Sequence, residues 1–593
     1  MPQPPSSPEP RSLSAPTFLG LLLFALLSYF QFPGHIWLES DTQIYLPMLE
    51  RFRDPSLFER DPMVIRAHTA FTLYDELALA LDRLTGWGFE GALGLAHVVV
   101  RLALLAGIFL ITRAMGLSEA LALACAGVYA LGGRVLGPAV LLVEYEPVPR
   151  AFALGPVVLA IGLAARERYL AAGIAGAAGF LMHPTTAAPF WIVYAALLFV
   201  PDDPETMKAR LWGLAPLAAA VVALKAAAAL QPGVVEPQAI LGRLDSPWEA
   251  LIRMRASYVF VSLWPPLAFW QFGLMTALAA AAYWRLRRFL TPTLRFFAGG
   301  LLAAGWLALP LSYLLLERLR WAMLPQWQPL RWILFAQVFA MLLSLVLAFE
   351  LACRERRLAA AACWAAAGIA CGLEPRLLFV LAPAALASLL GPRLGAAGLA
   401  AAAVVAWIQP LGIVVWQGAA RRALLLALSG GILLAAAGAL SARRRRSGAA
   451  AVLAVAVAAF YFVPGRLALH WSGERSSAAV QELAEWALAQ TNRDAVFLFF
   501  DARRAVEPGV FRARAARALY ADWKGGGQIN FFREFARLWS ERWRETAAGD
   551  LRPERLPHFR ELGIDYLVVA KKNRLADRPA AHENDAYLVY ALR

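Results

Sequence analysis

Apolar stretches long enough to cross a membrane recur along this chain of 593 residues, and they restrict its fold more than any other feature. A transmembrane helix needs roughly 20 mostly apolar residues. Such stretches occur at 17–33, 93–112, 118–136, 150–165, 169–183, 186–200, 211–230, 266–283, 296–316, 332–352, 358–372, 376–391, 394–416, 423–441 and 448–464. With 60% hydrophobic and only 17% charged residues, the chain is too apolar for a soluble protein. The sequence therefore predicts an α-helical polytopic membrane protein with about 13–15 transmembrane helices.

Basic residues are concentrated in alternate short loops between these stretches. Examples are Arg285, Arg287 and Arg288, then Arg354, Arg356 and Arg357, and last Arg443 to Arg446. Because cytoplasmic loops carry an excess of Lys and Arg, we predict a protein of the cytoplasmic membrane with its N-terminus in the cytoplasm and its C-terminal segment outside. The same residues account for much of the net charge of +15. No nucleic-acid partner is expected, since no basic helix or aromatic-basic platform appears in the sequence.

Two regions interrupt the pattern of short loops. The first is a large external loop, 34–92, within a polytopic domain 1–464, and its stretch Phe71 to Leu84 is amphipathic. The second is the tail 465–593, which we predict to be a small extracytoplasmic α/β domain. In the tail, a helix is predicted at Ser476–Gln490, amphipathic stretches at Phe511–Tyr520 and Asn530–Arg544, and strands at Ala495–Phe500, Tyr566–Ala570 and Ala586–Leu592.

An acidic cluster follows the first apolar stretch at once, where Glu39, Ser40 and Asp41 open the external loop. A carboxylate beside an apolar wall can have its pKa raised toward the working pH and act as a general base. A carboxylate of this cluster is therefore a candidate for the base of a reaction at the outer surface. Asp41 can also serve as the N-cap of the helix that follows, because Asp is common at that position, and the two roles do not exclude each other.

Further polar residues are predicted to lie on the same outer side. In the first loop these include Tyr45 and Asp61, in the second loop Glu144, Glu146 and Arg150, and at a helix end His183. The basic residues Lys225, Arg320 and Arg331 can bind a lipid phosphate or can simply extend toward the membrane surface. The alternatives for the rest are a solvated loop at Glu144 and Glu146 and a helix-end role for His183. If the functional interpretation holds, these side chains converge on one polar cavity.

The order of these features resembles the GT-C class of integral-membrane glycosyltransferases. The resemblance is carried by Ser40-Asp41 with Tyr45 and Pro47, by Asp54-Pro55 and Asp61-Pro62, by Glu144-Tyr145-Glu146-Pro147 with Arg150, by His183-Pro184, and in the tail by Arg517, by Tyr520 to Lys524 and by Gly563 to Tyr566. It implies transfer of a sugar from a polyprenyl-phosphate-linked donor to an acceptor at the outer face of the membrane. Carried onto this chain, the base is Asp41 or Glu39, and the acidic partner is Glu144 or Glu146.

A metal is the least defined part of this resemblance. The first loop has no Asp-x-Asp triplet, since Glu39-Ser40-Asp41 is only an acidic analogue. No cofactor is therefore certain, and a divalent cation, Mg or Mn, stays a possibility.

Two other classes of function are compatible with a polytopic membrane protein. A lipid or polysaccharide transporter or flippase is expected to show repeated halves and ionisable residues near the middle of the membrane. A non-catalytic scaffold of the envelope is expected to tolerate replacement of Asp41. The gathering of polar residues at one surface favours the enzyme.

Overall fold

The computed structural model describes residues 14–30, 36–66, 71–135, 137–230, 241–408, 418–443, 473–474, 477–547, 551–575 and 578–592. Within these ranges, six helices are long and apolar enough to cross a membrane, namely Gly88–Ala114, Pro204–Leu230, Pro266–Leu286, Pro292–Arg318, Leu324–Cys353 and Ala423–Leu440. Shorter apolar helices cover Ala15–Phe30, Glu119–Ala130, Pro149–Ala164, Tyr169–Met182, Leu358–Leu373, Leu378–Ser388 and Arg393–Val405. The predicted helical polytopic fold is confirmed, while the stretch 448–464 lies outside the described residues.

The helix Ile333–Cys353 forms the centre of the apolar core. It is hydrophobic around its whole circumference, and nearly every residue along it is buried. A helix without a polar face has no side that favours water, so it is stable only when surrounded by other helices or by lipid. Here it packs against Leu358–Leu373, Pro266–Leu286 and Gly418–Arg443.

The first loop folds into short helices at Thr42–Arg53, Pro62–Ile65 and Tyr74–Thr85. The last of these corresponds to the stretch Phe71 to Leu84, in which apolar and polar residues alternate with helical periodicity. Tyr74 and Ala78 on its apolar face are fully buried. The loop is therefore an ordered part of the molecule.

The tail forms the predicted α/β unit. We number the strands of the protein in chain order as β1 Ile36–Trp37, β2 Arg134–Val135, β3 Val140–Leu141, β4 Gly473–Glu474, β5 Val496–Phe499, β6 Ala518–Leu519, β7 Tyr566–Ala570, β8 His582–Glu583 and β9 Tyr587–Ala591. Helices of the tail cover Ala478–Gln490, Glu507–Ala515, Arg533–Ala547 and Leu556–Glu561. Its sheet has the strand order β6-β5-β7-β9-β8, in which β5 pairs in parallel with β6 and β7, and β9 pairs antiparallel with β7.

The tail is seated on the first loop. Strand β1 pairs in parallel with β4 through Ile36 and Gly473. One shared apolar cluster joins loop residues such as Trp37 and Leu49 to tail residues such as Phe497 and Phe511. A second cluster joins the loop, the helix Ser246–Arg255 and the helix Arg533–Ala547. The first loop and the tail therefore lie at the same end of the helical bundle.

Candidate active site

A cavity of about 980 Å³ lies where the first loop, the second loop and the tail meet. Most of the residues predicted from the sequence line this one space: Glu39, Asp41, Tyr45, Arg150, His183, Lys225 and Arg331. Residues of the helices Thr42–Arg53, Pro149–Ala164 and Ala215–Leu230 supply part of the wall, and residues of the tail turn Gly525–Asn530 line it as well. The predicted convergence of loops distant in sequence therefore occurs.

Asp41 is held between two cationic side chains at the wall of this cavity. One of its oxygens pairs with Arg150, and the other accepts a hydrogen bond from Lys524 Nζ at 2.7 Å. Burial alone raises the pKa of a carboxyl group. Here the charges of Lys524 and Arg150 outweigh burial and hold the pKa of Asp41 well below its ordinary value. The predicted upward shift of this pKa is therefore wrong, because the sequence did not reveal the second cation.

The backbone around Asp41 is fixed by Glu146 rather than by Asp41 itself. Asp41 stands at the N-cap of Thr42–Arg53, but its side chain makes no capping hydrogen bond. Glu146 instead accepts hydrogen bonds from the N–H groups of Ser40 at 2.7 Å, Asp41 at 2.9 Å and Thr42 at 3.4 Å. Burial, followed by the charge of Asp41, raises the pKa of Glu146.

Glu146 and Glu144 are not exposed to the cavity, so their predicted role as substrate-binding residues needs correction. Glu146 has no exposed surface and Glu144 is only 5% exposed, which also excludes a solvated loop. Glu144 pairs with Arg150 Nε at 2.8 Å, and its backbone oxygen accepts a hydrogen bond from Arg101. Both carboxylates lie behind the wall and orient the residues that form it.

His183 has the helix-end role and lines the cavity as well. Its ring is the N-cap of Pro184–Leu197, and Nδ1 lies 3.3 Å from the Thr186 N–H that donates to it. The hydroxyl groups of Thr185 and Thr186 lie 2.9 and 2.8 Å from the same nitrogen. Because Nδ1 accepts the Thr186 N–H, the neutral ring carries its proton on Nε2 and offers no free lone pair to a metal.

The wall carries more positive than negative charge. Its basic residues are Arg134, Arg150, Lys225, Arg255, Arg331 and Lys524, and its acidic residues are Glu39 and Asp41. Lys524 and Arg134 were not identified from the sequence as site residues. Arg255 Nε donates to the backbone oxygen of Trp523 at 3.0 Å, which fixes the turn that carries Lys524. In the sequence, Lys524 could have been singled out only through the short motif Tyr520 to Lys524, which precedes three glycines.

Asp61 and Arg320 lie outside the cavity, which corrects two predicted substrate contacts. Asp61 is 1% exposed and pairs with Arg512 Nε at 2.9 Å, while it also caps Pro62–Ile65. Arg320 is half exposed and pairs with Glu249 at 3.1 Å. The first ion pair joins the first loop to the tail, and neither Asp61 nor Arg320 lines the cavity.

The surroundings of Asp41 do not fit a divalent cation. Both carboxylate oxygens already face a cationic side chain, and a metal there would be repelled by both. Among the described residues, no group of three or more His, Cys, Asp or Glu side chains has a geometry that could hold a metal ion.

Comparisons with known proteins give only distant likenesses. No protein-family profile matches the chain, and no curated protein sequence matches it either. Among solved structures, the arabinofuranosyltransferase AftD from mycobacteria is 15% identical with a TM-score of 0.46, over 94% of this chain. This chain spans about a third, 35%, of the length of AftD. ArnT from Cupriavidus metallidurans, in the apo state, is 13% identical with a TM-score of 0.44, over 97% of each chain.

Proposed function

We propose that this protein transfers a sugar from a polyprenyl-phosphate-linked donor to an acceptor at the outer face of the cytoplasmic membrane. The observation that supports this best is the cavity in which Asp41 lies beside an excess of basic side chains. Such a wall suits a ligand that brings a phosphate to a carboxylate. The sugar and the acceptor are not specified by these residues.

The position of the cavity suits a donor with a long apolar tail. The helix Pro204–Leu230 is the least buried of the six candidate spans, and its residues Leu224, Lys225 and Ala228 line the cavity. A helix that is exposed in the protein and apolar faces lipid when it spans a membrane. The tail of the donor can therefore stay in the lipid while its phosphate reaches Lys225 and Arg331.

In the proposed reaction, an acceptor hydroxyl oxygen attacks the anomeric carbon of the donor. The new glycosidic bond forms as the bond between that carbon and the phosphate oxygen breaks, and polyprenyl phosphate leaves with the bonding electron pair. Asp41 takes the hydroxyl proton as general base, and the basic wall stabilises the charge on the departing phosphate.

The low pKa of Asp41 makes it a weak base until the donor arrives. The phosphate competes with Asp41 for Lys524 and Arg150, because both anions are within reach of the same cations. Weakening these ion pairs and adding a negative charge nearby both raise the pKa of a carboxylate. Donor binding then prepares Asp41 to accept a proton.

The test is Asp41→Asn in the purified full chain, supplied with a panel of polyprenyl-phosphate sugars. We expect the release of polyprenyl phosphate to fall about 10²–10⁴-fold, the usual contribution of a general base. Binding of polyprenyl monophosphate should be retained, because the Asp41 carboxylate no longer competes with the phosphate for Lys524 and Arg150. Glu50→Gln is the matched control, since Glu50 lies on the same helix and pairs with Arg53 away from the cavity.

Glu39→Gln separates the two candidate bases. If Asp41→Asn keeps the parental rate and Glu39→Gln is inactive, the base is Glu39. Parental rates for both variants would contradict the proposed reaction.

A further inference from the structure

Two short segments from distant parts of the chain meet at one side of the cavity. One is Gln326 to Gln328, and the other is Asn530 with Phe531, at the end of the turn Gly525–Asn530. They are in direct contact, because Gln326 Nε2 donates to the backbone oxygen of Phe531 at 3.4 Å. Each segment places a carboxamide next to an aromatic ring in the cavity wall.

The two carboxamides are buried and incompletely hydrogen-bonded. Gln328 is 7% exposed and Asn530 is 3% exposed, yet both belong to the cavity lining. Gln328 Oε1 and Asn530 Oδ1 accept no hydrogen bond from the part of the chain that the structure describes. Buried polar atoms without partners are rare in proteins, so each requires an explanation. A half-turn of a carboxamide exchanges its oxygen and nitrogen, so each group can offer a ligand either a donor or an acceptor.

The backbone at Gln328 is also unusual. Its φ of 45° and ψ of 58° place it in the left-handed region, between the helix Leu324–Trp327 and Pro329. This conformation is sterically unfavourable for glutamine, whereas glycine and asparagine adopt it more easily. Backbone strain of this kind is concentrated at binding and catalytic sites.

The aromatic rings complete the chemistry of the site. Trp327 is 50% exposed and lines the cavity. Phe531 lines it as well and stacks on Phe71 with ring centroids 6.4 Å apart and planes 17° from parallel. Carboxamides beside exposed aromatic faces match a ligand that has hydroxyl groups around its edge and C–H groups on its faces. A sugar ring has this arrangement.

We propose that these two segments form a saccharide subsite of the cavity. Gln328 and Asn530 hydrogen-bond ring hydroxyls of the sugar. Trp327 and Phe531 pack against its apolar faces. The subsite rests on the proposed function for its place in a reaction, and the ring it holds belongs either to the donor or to the acceptor.

The test replaces each carboxamide by an apolar side chain of similar volume, in Gln328→Met and Asn530→Leu. Removing an unpartnered buried polar atom is neutral or stabilising, so the midpoint of thermal unfolding should stay the same or rise. Binding of the sugar-bearing probe should weaken about fivefold per variant, which corresponds to one ordinary hydrogen bond. That probe is a polyprenyl-phosphate pentose or hexose for a donor ring and a methyl glycoside for an acceptor ring. Binding of bare polyprenyl monophosphate should not change.

Gln528→Met is the matched control from the same turn. Gln528 is fully buried outside the cavity lining, and its Nε2 donates to the backbone oxygen of Met63 at 2.9 Å. Its replacement should lower the unfolding midpoint without changing the preference for sugar-bearing probes. A purely structural role for Gln328 and Asn530 predicts the same result for them, and that result would overturn the subsite.

The source of the sugar is read from separate measurements. Weaker binding of the polyprenyl-phosphate sugars assigns the ring to the donor. Weaker binding of methyl glycosides alone, with unchanged donor binding, assigns it to the acceptor. The subsite is wrong if the parental chain binds polyprenyl-phosphate sugars no more tightly than bare polyprenyl monophosphate and also binds no methyl glycoside. If bare polyprenyl monophosphate does not bind either, the proposed function is wrong.

Discussion

At the scale of single residues, the contacts of Asp41 determine its acidity. A carboxylate at an apolar wall and a carboxylate between two cations differ in the direction of their pKa shift. The distance of 2.7 Å from Lys524 Nζ to Asp41 is that of a charge-assisted hydrogen bond. Asp41 is therefore fully ionised near neutral pH, and its basicity depends on what Lys524 and Arg150 bind next.

This arrangement predicts a specific pH dependence. The value of kcat/KM reports the free enzyme, and that of kcat reports the donor complex. In a plot of kcat/KM against pH, the acidic limb is the fall in activity as Asp41 becomes protonated. Because Lys524 and Arg150 hold the pKa of Asp41 low, this limb should lie at a pH below the ordinary carboxyl pKa of about 3.9. The limb of kcat should lie at higher pH, because the bound phosphate raises the pKa of Asp41.

Lys524→Met tests the cause of the low pKa. Without the Lys524 charge, burial is opposed by Arg150 alone, so the acidic limb of kcat/KM should move to higher pH. Lys571→Met is the control, because Lys571 is an exposed lysine of the tail that pairs with Glu583. An acidic limb that stays in place in Lys524→Met would contradict the assignment.

The site residues divide according to whether they stand in a short motif next to a predicted helix. Asp41, Arg150 and His183 could be selected from short motifs next to predicted helices. Lys524 could not, because it meets Asp41 across 483 positions of the chain. The supporting roles of Glu144 and Glu146 were missed for a related reason. A sequence does not show whether a carboxylate faces the cavity or is buried behind the residues that line it.

At the scale of elements, the turn before Thr42–Arg53 depends on a partner from the second loop. The first N–H groups of a helix need acceptors, and here the carboxylate of Glu146 supplies them in place of the N-cap side chain. This leaves Asp41 free to face the cavity. The second loop therefore contributes to the site by shaping the first.

Glu146→Ala should remove this support. Hydrogen bonds to a charged group contribute about 1.5–3 kcal/mol, so we expect a loss of about 2–3 kcal/mol in the free energy of unfolding. Sugar transfer should also be lost, because Asp41 is displaced. Glu249→Ala is the control, since Glu249 is 8% exposed and pairs with Arg253 and Arg320 away from the cavity. Glu146→Ala with full transfer activity would show that the turn keeps its shape unaided.

Elements with a strong periodic pattern were predictable, and those without one were not. The strand Tyr566–Ala570 matches its predicted bounds, and the predicted helix Ser476–Gln490 is observed as Ala478–Gln490. Phe511–Tyr520 was predicted as one amphipathic stretch, but it is divided between the helix Glu507–Ala515 and strand β6. Strands β1 and β4 have two residues each, too few for any alternation to be recognised.

At the scale of the whole molecule, the tail and the first loop form one body. Arg512 is 1% exposed and pairs with Asp61 of the first loop and with Asp522 of the tail. Breaking such a buried pair leaves an uncompensated charge. Separating the tail from the first loop is therefore unfavourable, and the ion pair fixes their relative position. The composition and hydropathy of the sequence predicted both parts. They contain no information on how the tail docks on the first loop. The cavity exists because of that docking.

The shared position of these parts makes the side of the membrane testable by a single fusion. The charge pattern predicts an extracytoplasmic tail, and the tail lies at the same end of the bundle as Asp41. A periplasmic phosphatase fused after Arg593 should therefore be active, and the same enzyme fused at Gly116, between two helices at the opposite end, should be inactive. Activity of only the Gly116 fusion would put the tail in the cytoplasm. Because Lys524 contacts Asp41 directly, the cavity would move with it, and the proposed transfer at the outer face would have to be abandoned.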